Sequence, residues 1–333
     1  MAADINRQIL LKNRPDGAPG LGNFELVQSP VPEPGDGEVL MRTRYLSLDP
    51  YMRGRMSAAK SYTKPVEIGE PMVGGTVGEI VKSRNAKFAV GDIVTGFGGW
   101  QDYALSNGAG LRKLDPAAAP VTTALGVLGM PGMTAYAGLL EIGRPKPGET
   151  VAVAAASGAV GSVVGQIAKI KGCRAVGIAG GPDKCRYVVQ ELGFDACIDH
   201  RAADFARQLE VACPAGIDVY FENVGGAVQQ AVWPLLNDFA RMPVCGLIAQ
   251  YNAAPMPGPD MFSVLRKRLT LRGFIVWDFA AKQADFLRDA GEWVRSGRLK
   301  YREDVVEGLE NAPAAFLSLF RGKNFGKLLV KVA

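Results

Sequence analysis

The chain has 333 residues, 38 Lys and Arg against 33 Asp and Glu, 48% hydrophobic and 21% charged side chains, 41 glycines, 21 prolines, five cysteines and one histidine. These values imply a soluble folded chain long enough for two domains, and exclude a disordered or disulfide-scaffolded one. His200 is the lone histidine and no Cys-x-x-Cys pair occurs, so no metal site of the usual nitrogen and sulfur type is expected, nor a triad that needs a histidine base.

The net charge of +5 is modest and dispersed, which implies no nucleic-acid partner but suits a small anionic ligand. Residues 1–13 include Asp4, Arg7 and Lys12 and lack an apolar run, so no signal peptide is read. A reducing, cytoplasmic setting is expected.

Along the first 115 residues, Val39 to Tyr45 alternates, Gly75 to Ser83 reads as a strand, and Ile93 to Thr95 follows a Gly91-Asp92 turn. This spacing suits a small, strongly bent β-domain. The uncharged stretch from Pro116 to Leu140 is long enough for a membrane span. Pro120, Pro131 and four glycines interrupt it, so it reads as buried loop and helix, with no membrane partner. From Gly148 onward, short apolar strands alternate with helical patterns, the signature of a doubly wound parallel sheet. Strands are expected at Thr150 to Ala155, Arg174 to Ala179, Ala196 to Asp199, Ile217 to Phe221, Met242 to Cys245 and Leu269 to Val276. Helices are expected between them. Pro243 lacks a ladder donor, so an edge or irregular position is expected for it. Arg266-Lys267-Arg268 reads as a solvated approach to the sixth strand. Helices over Asp285 to Ser296 and after Asn311, a plausible N-cap, precede a last strand at Lys327 to Val332.

Ala156-Ser157-Gly158-Ala159-Val160-Gly161 joins the first of these strands to a helix. It is a dinucleotide fingerprint with alanine in the first glycine slot. Small residues are needed there because backbone amides must approach a pyrophosphate at the helix N-terminus. About 20 residues on, an NAD site would carry an acid on the ribose. The chain instead reads Ala179-Gly180-Gly181-Pro182-Asp183-Lys184, and a lysine in the next helix's first turn can pair with a 2'-phosphate, so NADP(H) is favoured. Gly322 to Lys327 has too short a glycine spacing for a nucleotide-triphosphate loop.

Six segments carry a family resemblance: Leu48 to Met56, Leu128 to Tyr136, Ala155 to Gly165, Glu222-Asn223-Val224-Gly225-Gly226, Gln250-Tyr251-Asn252 and Asn324-Phe325-Gly326-Lys327. In this order, and across almost the whole chain, the sequence resembles the zinc-free medium-chain dehydrogenase/reductases. More narrowly, it resembles their prostaglandin reductase, alkenal double-bond reductase and curcumin reductase group. The resemblance implies an α/β fold in which a Rossmann domain, residues 128–303, is inserted into a GroES-like, bent β-barrel-like catalytic domain, residues 1–127 plus 304–333. It also implies a homodimer that uses NADPH to reduce the carbon-carbon double bond of an enone or enal.

Carried over by motif, Gly158, Ala159, Val160 and Gly161 would line the pyrophosphate, and Gly180, Lys184 and His200 the adenosine phosphate. Asn223 and Asn324 would bond the nicotinamide half, Met133 and Thr134 would flank its ring, and Phe274, Ile275 and Val276 would offer backbone to its carboxamide. Cys245, Gly246 and Tyr251 complete the expected cofactor contacts, and Tyr51 would stand at the substrate pocket. Pro243 and His200 depart from the family pattern, where relatives carry an aliphatic residue and often a tyrosine.

Hydride delivery to the β-carbon of an enone spreads charge into an enolate, which one or two hydrogen-bond donors can stabilise without a metal. Tyr251 is the candidate catalytic donor, acting with a ribose hydroxyl; the alternative is a tyrosine that only packs in its turn. Tyr51 is either a gate or a packing aromatic, His200 a phosphate contact or a surface side chain, and Arg53 and Arg55 read as solvated charges. Two other functions fit the same residues: an NADPH quinone reductase, and a cofactor-binding protein without turnover.

Overall fold

The computed structural model describes residues 5–253 and 258–333. Its contacts divide the chain into two units. One runs to Leu125 and takes back Glu303–Asn324 and Leu328–Ala333; the other is Gly126–Arg302 with Phe325–Lys327.

The first unit begins with β1 (Ile5–Leu11) and β2 (Phe24–Pro30), paired antiparallel from Ile5 opposite Pro30 to Leu11 opposite Phe24. There follow β3 (Val39–Ser47), a short α1 (Met52–Arg55), β4 (Thr76–Ser83), β5 (Ile93–Gly96), β6 (Tyr103–Ser106) and β7 (Arg112–Lys113). Ile9 and Leu11 alternate inward to a core closed by Trp100, which stacks on Phe24 with ring centroids 5.6 Å apart and meets Phe316 edge-on.

In the second unit the elements alternate as α2 (Met130–Ala137), β8 (Thr150–Ala154), α3 (Gly161–Ile170), β9 (Arg174–Ala179), α4 (Pro182–Gln190), β10 (Ala196–Asp199) and α5 (Phe205–Ala212). They continue as β11 (Ile217–Phe221), α6 (Gly226–Val232), β12 (Leu236–Val244), α7 (Met261–Lys267), β13 (Thr270–Gly273) and α8 (Gln283–Arg295). The chain then re-enters the first unit with β14 (Glu303–Glu307), α9 (Ala312–Leu319) and β15 (Lys327–Lys331), whose Leu329 to Lys331 pair antiparallel with β3. The first unit's larger sheet therefore joins strands from before and after the second unit, in the order β14-β15-β3-β4-β5-β7 with β6 beside β3.

The second unit's sheet is ordered β10-β9-β8-β11-β12-β13, and its strand pairs are parallel. This is the doubly wound Rossmann order, and its direction reverses between β8 and β11, where such sheets open a crevice at their carboxyl ends. β8 is buried throughout, as a central parallel strand covered on both faces must be. The stretch read as uncharged and span-like carries α2 and short helical turns. No helix among the described residues is long and apolar enough to cross a membrane.

Two expectations need correction and two hold only in part. Pro243 does not sit on a sheet edge, since β12 lies between β11 and β13. The irregularity is present all the same: the register jumps from Ile217 opposite Leu236 to Val219 opposite Arg241, around a left-handed Phe239 with φ 62°. Pro243 accepts from the Glu222 amide at 3.0 Å, so the donor it lacks faces that same distorted neighbour. Arg266 and Lys267 end a helix, α7, rather than approach a strand. Asp260 caps α7 by accepting from the Phe262 and Ser263 amides, and Lys267 Nζ donates to the Pro234 and Leu236 carbonyls. Asn311 occupies the N-cap position of α9 without a side-chain cap bond; its Nδ2 donates instead to the Glu307 carbonyl. Arg53 and Arg55 are not solvated charges, because Arg53 is buried with Nη2 on the Gly17 carbonyl at 2.7 Å and Arg55 Nη1 donates to Thr63 at 2.8 Å.

Candidate active site

At the end of β8 the chain turns through Ala155, left-handed at φ 53°, into the fingerprint and α3. Gly161 is required by close approach, since a Cβ there would lie 2.3 Å from the Ala155 carbonyl oxygen; at Gly158 the same atom would be 3.2 Å away. One turn on, a Cβ at Gly165 would fall within 1.9 Å of the Phe194 ring, so α3 lies tight against its neighbours. Among the described residues the amides of Val160 and Gly161 meet no acceptor, while Gly158 donates to Ala155 and Ser162 to Gly158. Unpaired amides at a helix start are what a pyrophosphate needs, so these residues fit a dinucleotide. Gly158 also bridges in parallel to Gly326, and neighbouring Phe325 packs edge-on against Tyr187 of α4 at 5.0 Å.

Beyond β9, Gly180 and Gly181 make the turn into α4. The Gly181 amide donates to Asp199 Oδ1 at 2.9 Å, and the same oxygen accepts from the Arg201 amide at 3.0 Å. The acid at this edge thus binds the turn's backbone. Burial pulls the Asp199 carboxyl up, but these two amides and neighbouring cations hold it below its ordinary range. A Cβ on Gly180 would stand 3.0 Å from His200 Nε2 and 3.2 Å from Arg201 Nε, so imidazole and guanidinium flank this glycine. Burial first, then the charges of Arg201 and Lys184, push His200 below its usual 6.5. Three basic groups therefore converge here. Arg201 was not among the residues expected from sequence; the available signal was a second basic residue directly after His200 at the tip of the third Rossmann strand.

At the other side of β8, β11 ends in Glu222-Asn223-Val224-Gly225-Gly226. Glu222 is fully buried, and its Oε1 accepts from the Val224 amide (2.7 Å), the Gly225 amide (2.8 Å) and the Tyr220 hydroxyl (3.0 Å). Burial raises its carboxyl above the ordinary range against the pull of those donors. Its carbonyl accepts from Cys245 and Gly246, and the Asn223 carbonyl from Ile248, which stitches this loop to the one after β12. Asn223 Nδ2 donates to the Ala154 carbonyl at 2.8 Å, beside the fingerprint. The Tyr251 hydroxyl lies 3.1 Å from where a Gly246 Cβ would stand, so Gly246 leaves room for it. Burial pushes the Cys245 thiol up to about 12. Glu222 is the residue that organises this end, and sequence reading quoted it only as part of its motif.

The remaining expected residues are placed as follows. Met133 and Thr134 are buried in α2, Met133 in the second unit's core and Thr134 with Oγ1 on the Met130 carbonyl at 2.8 Å. The Phe274 amide reaches the Val244 carbonyl at 3.4 Å, the Ile275 amide is held by Asp278 Oδ2 at 3.0 Å, and the Ile275 carbonyl accepts from Asp278. Of the three amides expected to face a carboxamide, only that of Val276 meets no acceptor among the described residues. Tyr51 stands at the start of α1 in the first unit, half-buried, its phenol raised by burial and by the Asp49 carboxylate. Asn324 lies in the first unit between α9 and β15. Residues 254–257, just after the Gln250-Tyr251-Asn252 motif, lie outside the described residues.

Two family models match the chain, one described as the N-terminal domain of oxidoreductase over residues 7–114 and one as zinc-binding dehydrogenase over residues 159–293. No group of three or more His, Cys, Asp or Glu able to hold a metal occurs among the described residues, so the side chains present do not fit the zinc of that description. The chain is 55% identical to the NADPH-dependent curcumin reductase of Escherichia coli, over 98% of this chain and 97% of that one. It is 44% identical to prostaglandin reductase 1 of Rattus norvegicus, over 96% and 97%. A crystal structure of CurA from Vibrio vulnificus in complex with NADPH is 56% identical and superposes with a TM-score of 0.94, covering 98% of this chain and 99% of that one. With identity of this order sustained over both units, the chain belongs to the medium-chain dehydrogenase/reductase family, in the group of the curcumin and prostaglandin reductases.

Proposed function

We propose that this NADPH-dependent oxidoreductase reduces the carbon-carbon double bond of α,β-unsaturated ketones and aldehydes. Relatives that are NADPH-dependent by name, and one crystallised with NADPH, support the cofactor. So do the basic groups around Gly180. The observation that carries the choice of substrate is Tyr251, a hydroxyl set against Gly246 beside the Asn223 loop, with no cluster of metal ligands among the described residues.

When bound, the dinucleotide supplies a hydride, which an enone accepts at its β-carbon. The protein's task is then to hold the acceptor's oxygen while negative charge grows there. Tyr251 donates a hydrogen bond to that oxygen, and an aromatic hydroxyl suffices because the charge is shared with carbon. The unpaired Val160 and Gly161 amides hold the pyrophosphate, Lys184, His200 and Arg201 the 2'-phosphate. Asn223, fixed by the Ala154 carbonyl, orients the nicotinamide half. Turnover should appear as NADPH oxidation with an aliphatic enal, a phenyl-substituted enone or a prostaglandin-type enone. Tyr251→Phe should lower kcat at least tenfold with NADPH affinity unchanged. Equal turnover by the variant would sink the donor role, consumption with benzoquinone alone would favour a quinone reductase, and consumption with none a binding protein.

A homodimer is proposed across β13, an edge strand whose backbone ladder ends the parallel sheet. Exposed Met261, Phe262 and Leu265 on adjacent α7 support it. Leu265→Glu should shift the sedimentation of the enzyme toward a monomer; a wild-type chain that already sediments as a monomer refutes the dimer. The five cysteines, none in a disulfide, support a reducing cytoplasmic setting.

A further inference from the structure

Two of the cysteines are neighbours beneath the basic turn. Cys185 is the fourth residue of α4, with its amide on the Gly181 carbonyl at 3.2 Å, and Cys197 lies on β10. Val188, one helical turn after Cys185, and Cys197 converge on one point: a Cβ on Gly177 would stand 3.0 Å from Val188 Cγ1 and 3.2 Å from Cys197 Sγ. The inner face of α4, on which Cys185 stands one turn before Val188, therefore lies over Cys197, close enough for each thiol to perturb the other. Neither is fully buried.

We propose that Cys185 and Cys197 form a reactive dithiol which a hydroperoxide closes into a disulfide, and that closure weakens the grip of the Gly180-Gly181 turn on the dinucleotide's 2'-phosphate. The second half rests on the cofactor reading above; the first does not. Cys185 is the attacking sulfur. The neighbouring Cys197 thiol holds it below the ordinary thiol range, and it stands near a helix N-terminus, while Cys185 and burial raise Cys197. The other three thiols lack such a partner: burial pushes Cys173 and Cys213 up to about 11 and Cys245 to about 12.

The Cys185 thiolate attacks a peroxide oxygen, forming an S–O bond and breaking O–O, and the released hydroxide leaves as water with the thiol's proton. Cys197 then attacks the sulfenic sulfur, the S–S bond forms as S–O breaks, and its proton leaves with the second hydroxide as water. Two thiols and one hydrogen peroxide thus give one disulfide and two waters. The two sulfurs must approach to about 2.05 Å in the disulfide. That approach draws the first turn of α4 toward β10, and Lys184 and Gly181 move with it.

The test uses the full-length enzyme, reduced and then treated with hydrogen peroxide, followed by maleimide labelling, non-reducing peptide mass spectrometry and NADPH titration by fluorescence. We expect a peptide cross-linked through Cys185 and Cys197, an NADPH Kd raised roughly tenfold, about one charge-assisted hydrogen bond, and recovery with dithiothreitol. Cys197→Ser should keep the reduced-state affinity and lose the response to peroxide. Maleimide on both cysteines after oxidation, a cross-link with unchanged Kd, or an equal loss of affinity in Cys197→Ser would each overturn the proposal. A reduced enzyme that fails to bind NADPH would instead overturn the cofactor reading, while the cross-link would still decide the dithiol.

Discussion

β9 and β11 flank β8, and the turns that follow them hold charge in opposite ways. After β9 the acid Asp199 binds the Gly181 and Arg201 amides, which leaves basic side chains at the turn, His200 and Arg201 against Gly180 with Lys184 nearby. After β11 the acid is fully buried, and Glu222 spends its oxygen on Val224, Gly225 and Tyr220. A turn lined by basic side chains selects a ligand by its charge and is tunable by salt and pH. A turn built round a buried, hydrogen-bonded carboxylate positions its neighbours and tolerates little change.

Breaking the second turn should cost most. Glu222→Ala leaves a buried amide, a half-buried amide and a buried phenol without their acceptor, and the protein should lose about 3 kcal/mol or more in denaturant unfolding. A loss near zero would show that the loop is held by other contacts. Arg201→Ala should act on binding alone, weakening NADPH roughly tenfold and leaving NADH unchanged. An equal loss for both dinucleotides would remove the 2'-phosphate from the argument. The smallest effect is the pH response of His200. Its folded value lies below 6.5, so its favourable contribution to stability is complete above the unfolded value and is lost as pH falls and the unfolded chain takes up the proton first. A phosphate ligand favours the imidazolium, so NADPH affinity should rise a few-fold from about pH 7.5 to about pH 5.5. His200→Ala should flatten that profile.

The second unit's fold was legible because its strands are short apolar runs between glycine stops; Arg174 to Ala179, Ala196 to Asp199 and Ile217 to Phe221 fall on β9, β10 and β11 at the same residues. Misreadings arose where local chemistry has two outlets. A run of three basic residues suits the last turn of a helix as well as a solvated strand, and the Asp260 cap six residues before Arg266 was the discriminating signal. Arg53 and Arg55 carry charge but lie where carbonyl and hydroxyl acceptors reach them, a fact of tertiary packing. Lys184 was visible as a basic residue after a glycine turn. The approach of Arg201 to Gly180 depends on the alignment of β10 with β9, Ala196 opposite Val176, and no spacing along the chain expresses it.

The tight turn at Ala155 has a consequence for the integrity of the anion site. A left-handed alanine costs roughly 1 kcal/mol in an isolated peptide, and its carbonyl fits against Gly161 only because that residue lacks a Cβ. The segment does not prefer this shape by itself. It is held by the packing of α3 on β8, so the amides offered to a pyrophosphate converge only where both elements are in place, and the anion site depends on the sheet that carries it.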